Sequence, residues 1–182
     1  MRAARKAGIS YVSGDRKKDG LLPNMSIFEN MVMSIYPAQS VASFLRFISR
    51  AKLDPIFEHE TAQLSTKMGD SGNLIGSLSG GNQQKVVLAK GLQRNADVII
   101  FDEPTRGIDV GAKYEIYRLI QQLADDGKAI LMISSELPEI LGMSDRILVM
   151  NEGRLTGEIT EVPRTSQEDI MKLATQREPL AA

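Results

Sequence analysis

Val98-Ile99-Ile100-Phe101 closes an unbroken apolar run that starts after Asp97 and ends directly in two carboxylates, Asp102 and Glu103, with Pro104 behind them. A strand-length run without polar alternation fits a strand buried on both faces of a parallel sheet. Parallel strands need long crossovers, and the flanking sequence supplies them as helices. Val110 to Ala124 is amphipathic, with Ile116, Leu119, Ile120 and Leu123 on one face, and Asp125-Asp126-Gly127 ends it. Ala129-Ile130-Leu131-Met132-Ile133 reads as the next buried strand. Strands and helices alternating at this spacing imply an α/β fold with a mostly parallel sheet under helical cover. In such sheets ligands sit at the carboxyl ends of the strands, where Asp102 and Glu103 stand. At a phosphate site the aspartate can hold the waters of a Mg²⁺ ion, and the glutamate can orient or deprotonate an attacking water.

A second stretch has complementary chemistry. In Leu78-Ser79-Gly80-Gly81-Asn82-Gln83-Gln84-Lys85, a serine and two glycines precede a helical pattern running from Gln83 to Gln93. A helix N-terminus presents free backbone N–H groups to an anion, and glycines let the anion approach closely. Taken together, the two stretches point to nucleotide phosphate and metal chemistry.

The remainder of the chain is organised around them. Met1 to Lys6 reads as the tail of a helix and suggests a start in mid-domain. Gly8 to Ser13 reads as a short strand, and Gly14-Asp15-Arg16-Lys17-Lys18-Asp19-Gly20 as a charged, solvated turn. Ser26-Ile27-Phe28-Glu29 matches a capping box, opening a helix through Ile35. A second helix carries Val41, Leu45 and Ile48 to about Leu53. Asp54-Pro55 should start a third, with the aspartate as cap and the proline at the first position. Gly69 to Asn73 breaks it. Met25, Phe28, Met31, Met33, Phe44 and Phe47 in this segment fit core packing or a partner-docking surface; His59 fits an exposed helix position. Further on come a short helix from Glu136 to Leu141 and a strand from Arg146 to Met150. A hairpin turn at Asn151 to Arg154 leads to a strand from Leu155 to Ile159. A helix capped by Thr165-Ser166-Gln167-Glu168 runs to about Ala174. Residues of about 26–74 thus form a helical subdomain, about 75–160 an α/β core, and 161–182 a C-terminal helix and tail.

Composition narrows the classes. Formal net charge is −1 over 182 residues, which gives no basic field for nucleic acid. There are no cysteines and a single histidine, which excludes disulfide frameworks and multi-histidine metal sites. No apolar run approaches the roughly 18 residues of a membrane span.

On the stretches just quoted the chain resembles the nucleotide-binding domain of ATP-binding-cassette (ABC) transporters, a P-loop NTPase-like fold. It is similar in particular to the second ATPase domain of fused monosaccharide importers of the ribose, xylose and galactose type. Leu78 to Lys85 resembles the signature loop. Asp102-Glu103-Pro104-Thr105-Arg106-Gly107-Ile108-Asp109-Val110-Gly111-Ala112-Lys113 resembles the Walker B and D-loop run. Ser134-Ser135-Glu136-Leu137-Pro138-Glu139-Ile140 resembles the switch region, and Gly14-Asp15-Arg16-Lys17 the start of the Q-loop region.

The resemblance implies ATP and Mg²⁺ as ligands of the complete domain. It implies nucleotide contacts by Ser79, Gly80, Gly81 and Gln83, made to ATP held on an opposing nucleotide-binding domain. It gives Asp102 a water-mediated Mg²⁺ role, Glu103 the general-base or water-orienting role, and Asp109 a D-loop role between two sites. The helical subdomain would dock on a membrane permease, which places the protein peripherally on the cytoplasmic face of the inner membrane, and in solution if isolated. No nucleic-acid partner is implied.

Three departures qualify this. No G-x-x-x-x-G-K-[ST] stretch occurs in the 182 residues, so strands and a P-loop are expected upstream. The Q-loop position is Gly14, which has no side chain to reach metal or water. The switch-histidine position is Ser135, a replacement that second domains of sugar importers often show. The expected function is that of part of an ATP-hydrolysing importer subunit, with the chain alone inactive and its sheet showing an uncovered edge and face. The other reading is a non-catalytic module that offers its signature loop in trans to a P-loop-bearing partner.

Overall fold

The computed structural model describes residues 2–38, 50–93 and 95–176. They fall into two compact units, residues 1–133 and 134–182.

The first unit is built on a parallel sheet of β1 (Ile9–Val12), β2 (Val98–Asp102) and β3 (Ala129–Ile133), in the order β1-β2-β3. Its helices are α1 (Arg2–Lys6), α2 (Ile27–Val32), α3 (Arg50–Gln63), α4 (Gly80–Leu92) and α5 (Val110–Asp125). The register aligns Tyr11, Ile100 and Leu131 in one row, and Val12, Phe101 and Met132 in the next. Side chains of adjacent rows point to opposite faces. Val12, Ile99 and Phe101 are buried on the face that α4 and α5 cover. The other face is open: Tyr11 is 52% exposed, and Leu131 and Ile133 are each 47% exposed.

The apolar runs of β2 and β3 are therefore covered on one side, not two. In β2 burial alternates along the strand, and Ala129, Leu131 and Ile133 of β3 are exposed. Periodicity of sequence cannot make this distinction, because the open face carries the same apolar residue types as the covered one. The expected uncovered face is thus present, and β1 and β3 are the edges of this sheet.

The Ser26 capping box forms as expected. Ser26 Oγ accepts from Glu29 N at 3.2 Å, and Glu29 Oε2 accepts from Ser26 N at 2.8 Å. Phe28 and Met31 are core residues, while Met25 is 36% exposed. Phe44 and Phe47, with the proposed helix around Val41 to Ile48, lie outside the described residues. Asp54-Pro55 does not start a helix. Pro55 lies inside α3, which is already helical at Arg50. The lost backbone bond is outweighed by packing: Leu53 and Phe57 close against Phe28 and Val32, and the Phe28 and Phe57 ring centroids are 5.1 Å apart. His59 is exposed, as expected. Arg16–Gly20 forms one wide helical turn, capped by Asp15 Oδ1 accepting from Lys18 N at 3.0 Å.

The second unit contains α6 (Leu137–Met143), the antiparallel pair β4 (Ile147–Asn151) and β5 (Arg154–Ile159), and α7 (Gln167–Thr175). Ile147, Val149, Val162 and Ile170 form its core. The cap of α7 is Ser166, paired with Asp169 in a capping box, one position later than the sequence expectation of Thr165 with Glu168.

Candidate functional site

The site residues of the first unit come from three segments: the loop after β1, the start of α4, and the loop from β2 to α5. The start of α4 is set by Ser79. Its Oγ accepts from Asn82 N at 3.4 Å and from Asn82 Nδ2 at 3.1 Å. Ser79 is exposed at the start of a 13-residue helix, whose first N–H groups have no acceptor within the helix itself. Gln83 turns back: its Nε2 donates to Leu78 O at 3.0 Å and so secures the loop from within. Gly81 is buried because α5 crosses it closely. A Cβ at Gly81 would lie 2.6 Å from Ala112 Cβ.

Asp102 ends β2 and is half-buried. Its Oδ2 accepts a 2.6 Å hydrogen bond from the Tyr11 hydroxyl. Tyr11 and Asp102 lie on the same, open face, because Tyr11 aligns with Ile100 two residues earlier in β2. The hydrogen bond to Asp102 is the main cause that raises the Tyr11 phenol above its ordinary pKa; partial burial and the nearby carboxylate charge add to it.

Glu103 adopts the left-handed region, with φ 46°, and its N–H donates to Ile133 O at 2.8 Å. A non-glycine residue held there is strained by about 1–2 kcal/mol. The β-type pairing to Ile133 on one side and the turn closed by Arg106 N donating to Glu103 O at 3.2 Å on the other hold it there. The consequence is a sharp departure of the chain from the sheet, which brings Glu103 out beside Asp102. Thr105 and Pro104 are buried beneath this turn.

Gly14 packs directly against this pair. A Cβ at Gly14 would lie 2.5 Å from Asp102 O and 3.0 Å from Glu103 Cβ. The loop after β1 thus closes on the backbone of Asp102 and on Glu103 Cβ. Asp109 caps α5, with its Oδ1 accepting from Ala112 N at 2.9 Å.

Ser135 belongs to the second unit and is exposed. Its neighbour Ser134 is fixed: its hydroxyl donates to the buried Glu139 carboxylate and accepts from Glu136 N at 3.0 Å.

So the fold brings Gly14, Asp102 and Glu103 together, and places Ser79 to Gly81 beside the Asp109 turn. Sequence reasoning missed Tyr11 and Arg16. Tyr11 has a signal in principle, since it sits at a strand position of the same parity as an open-face residue. Arg16 stands in the Gly14 to Lys17 run that resembles the start of the Q-loop region, but a charged turn by itself reads as solvated. Two adjacent carboxylates at a strand end, both half-buried, fit a Mg²⁺ ion held through water, since Mg²⁺ keeps several waters and takes few protein ligands.

Residues 1–106 match the family model described as ABC transporter. The chain is 51% identical over 178 residues to a putative ribose/galactose/methyl galactoside import ATP-binding protein 1 of Burkholderia lata, covering 96% of this chain and 34% of that protein. It is 48% identical over 167 residues to the ribose import ATP-binding protein RbsA of Clostridium perfringens, covering 92% of this chain and 33% of the relative. The chain therefore spans about a third of the length of these relatives. Among solved structures, the dimeric bacterial ABC transporter cassette MJ0796 matches with a TM-score of 0.70 at 20% identity, over 87% of this chain and 65% of that one. At that identity the likeness shows the fold, that of an ABC ATPase cassette.

Proposed function

The chain belongs to the ABC transporter family, and from that premise we propose that it forms part of the ATP-hydrolysing subunit of a bacterial sugar importer. The observation that carries this reading is its near end-to-end likeness to proteins named as ribose and galactose import ATP-binding proteins. The reaction would be hydrolysis of ATP to ADP and phosphate, coupled to uptake through a permease. The segment of about residues 26–74 is the surface proposed to meet that permease.

Local geometry supports a role for each of the site residues. The N–H groups at Gly80 and Gly81 and the Ser79 hydroxyl would donate to the phosphate of a nucleotide seated on the partner nucleotide-binding domain. Gln83 would act by holding Leu78 and thereby the loop, since its amide is already committed to Leu78 O. Asp102 would hold metal-bound water, with Tyr11 fixing the rotation of its carboxylate. Mg²⁺ would supply charge neutralisation on the phosphates. Glu103, turned outward by its left-handed backbone, would orient the attacking water and accept its proton. Asp109 would stiffen the turn that meets the partner, and Ser135 would offer a neutral hydroxyl at the switch position, where no imidazole charge is available.

The reading is tested by nucleotide-dependent association. The 182-residue chain is mixed with a full-length sugar-import ATP-binding protein of the relatives' type, and complex formation is followed by light scattering. A complex that forms with Mg²⁺ and a slowly hydrolysed ATP analogue, and not without nucleotide, is expected. Failure to associate at saturating nucleotide, or association indifferent to it, contradicts the proposal.

A further inference from the structure

Arg16 sits where three segments of the first unit meet. It begins the wide turn after Gly14 and Asp15. Its Nη1 donates to Arg106 O at 3.2 Å and its Nη2 to Gly107 O at 3.4 Å. The same Nη2 lies against α4: a Cβ at Gly80 would come within 3.1 Å of it, and within 3.7 Å of Gly107 O. A larger residue at position 80 would displace the guanidinium. Nε is buried and makes no hydrogen bond among the described residues.

The two carbonyls belong to the strained turn that leaves the carboxylates. Arg106 closes on Glu103, and Gly107 has φ 69°. Both carbonyls lie outside any helix or strand and need a donor from elsewhere, which Arg16 supplies. A planar guanidinium presents two parallel N–H groups and can bond both at once, which an ammonium does less well. Two residues beyond Gly107 stands Asp109, the cap of α5, and α5 in turn meets α4 at Gly81 through Ala112.

We infer that Arg16 is a positioning residue: its guanidinium clips the Arg106–Gly107 turn to the start of α4, so that the Ser79–Gly81 loop and the Asp109 turn are presented as one rigid surface. The clip runs from the loop that closes through Gly14 on the backbone of Asp102 and on Glu103 Cβ, so it also joins the end of β2 to that surface. Its functional meaning rests on the proposed phosphate role of α4; the clip itself does not.

The test is hydrogen exchange on the 182-residue chain and its variants Arg16→Met and Arg16→Lys. The amides read are Asn82, Arg106 and Ala112, which bond Ser79 Oγ, Glu103 O and Asp109 Oδ1. In R16M these three are expected to exchange at least tenfold faster, with β2 and β3 amides unchanged. In R16K, which keeps a donor, they are expected to return to within threefold of wild type. In parallel, nucleotide-dependent association with the full-length relative should weaken about tenfold in R16M and recover in R16K. Unchanged exchange in R16M, equal loss in R16M and R16K, or acceleration that spreads into β2 and β3 overturns the clip. A wild-type chain that fails to associate contradicts the proposed function, while the exchange result still decides the clip.

Discussion

The Tyr11 hydroxyl donates a 2.6 Å hydrogen bond to Asp102 Oδ2 across 91 positions of sequence. It joins the edge strand β1 to the candidate metal-supporting carboxylate on the open face of the sheet. Since Tyr11 is 52% exposed, solvent screens the bond, and Tyr11→Phe should cost only about 0.5 kcal/mol near neutral pH. The folded phenol titrates above its unfolded value of 10.0. Its contribution is therefore fully present below pH 10 and lost as pH rises through the folded value. Urea midpoints of wild type and Y11F should differ at pH 8 and converge in strong alkali.

Gly14→Gln places a side chain at the proposed Q-loop position and should destabilise the chain by about 1–3 kcal/mol. The first side-chain atom would meet the backbone of Asp102 at 2.5 Å, and backbone cannot swing aside as a side chain can. Chemical denaturation of G14Q and Gly14→Ala checks this. A loss of similar size in both would assign it to the Cβ.

Much of this site could be read in the residue string, and the unread parts have definite physical causes. The two chemical stretches are local signals: Ser79 with two glycines makes a helix start, and an apolar run ending in Asp102 and Glu103 makes a strand end. The capping box at Ser26 is likewise local. One-sided covering of β2 and β3 was not legible in the strands themselves, because Leu131 and Ile133 are as apolar as the buried Phe101; it was expected only from the missing P-loop stretch. The position of Pro55 inside α3 was not legible either, because packing of Leu53 and Phe57 on Phe28 decides it. The strain at Glu103 arises from pairing to Ile133 30 residues on, which no local pattern encodes.

Lys85 and Glu115 should respond unequally to neutralisation. Lys85 is 5% exposed; its Nζ lies 2.6 Å from Glu115 and donates to Ser65 O at 2.9 Å, while Glu115 is 47% exposed. Glu115→Gln leaves a buried cation without its counter-charge, whereas Lys85→Met leaves a carboxylate that water can reach. We expect E115Q to cost about 3 kcal/mol, K85M less, and the double variant less than the sum. Equal, additive losses in a double-mutant cycle would refute the asymmetry.

Glu60 should make the chain more stable as pH falls. It is 7% exposed, and its Oε2 is buried without a hydrogen-bond partner among the described residues. Burial raises its pKa above 4.5, partly opposed by His59. The folded state thus binds the proton more tightly, so its penalty is felt at neutral pH and relieved as pH falls through the raised value. Glu60→Gln should raise stability by about 1 kcal/mol at pH 7, with the gain gone below about pH 4.5. Urea titrations at pH 4, 5.5 and 7 check the trend.

We propose that these 182 residues carry the carboxylates and the signature helix start of an ATPase site, and they contain no G-x-x-x-x-G-K-[ST] stretch to cradle phosphate. Steady-state ATP hydrolysis by the purified chain tests it most directly, at millimolar Mg²⁺ and ATP and with Glu103→Gln as the background. A rate no higher than that of the E103Q variant is expected. Turnover of about 1 s⁻¹ or more, abolished by E103Q, would contradict it.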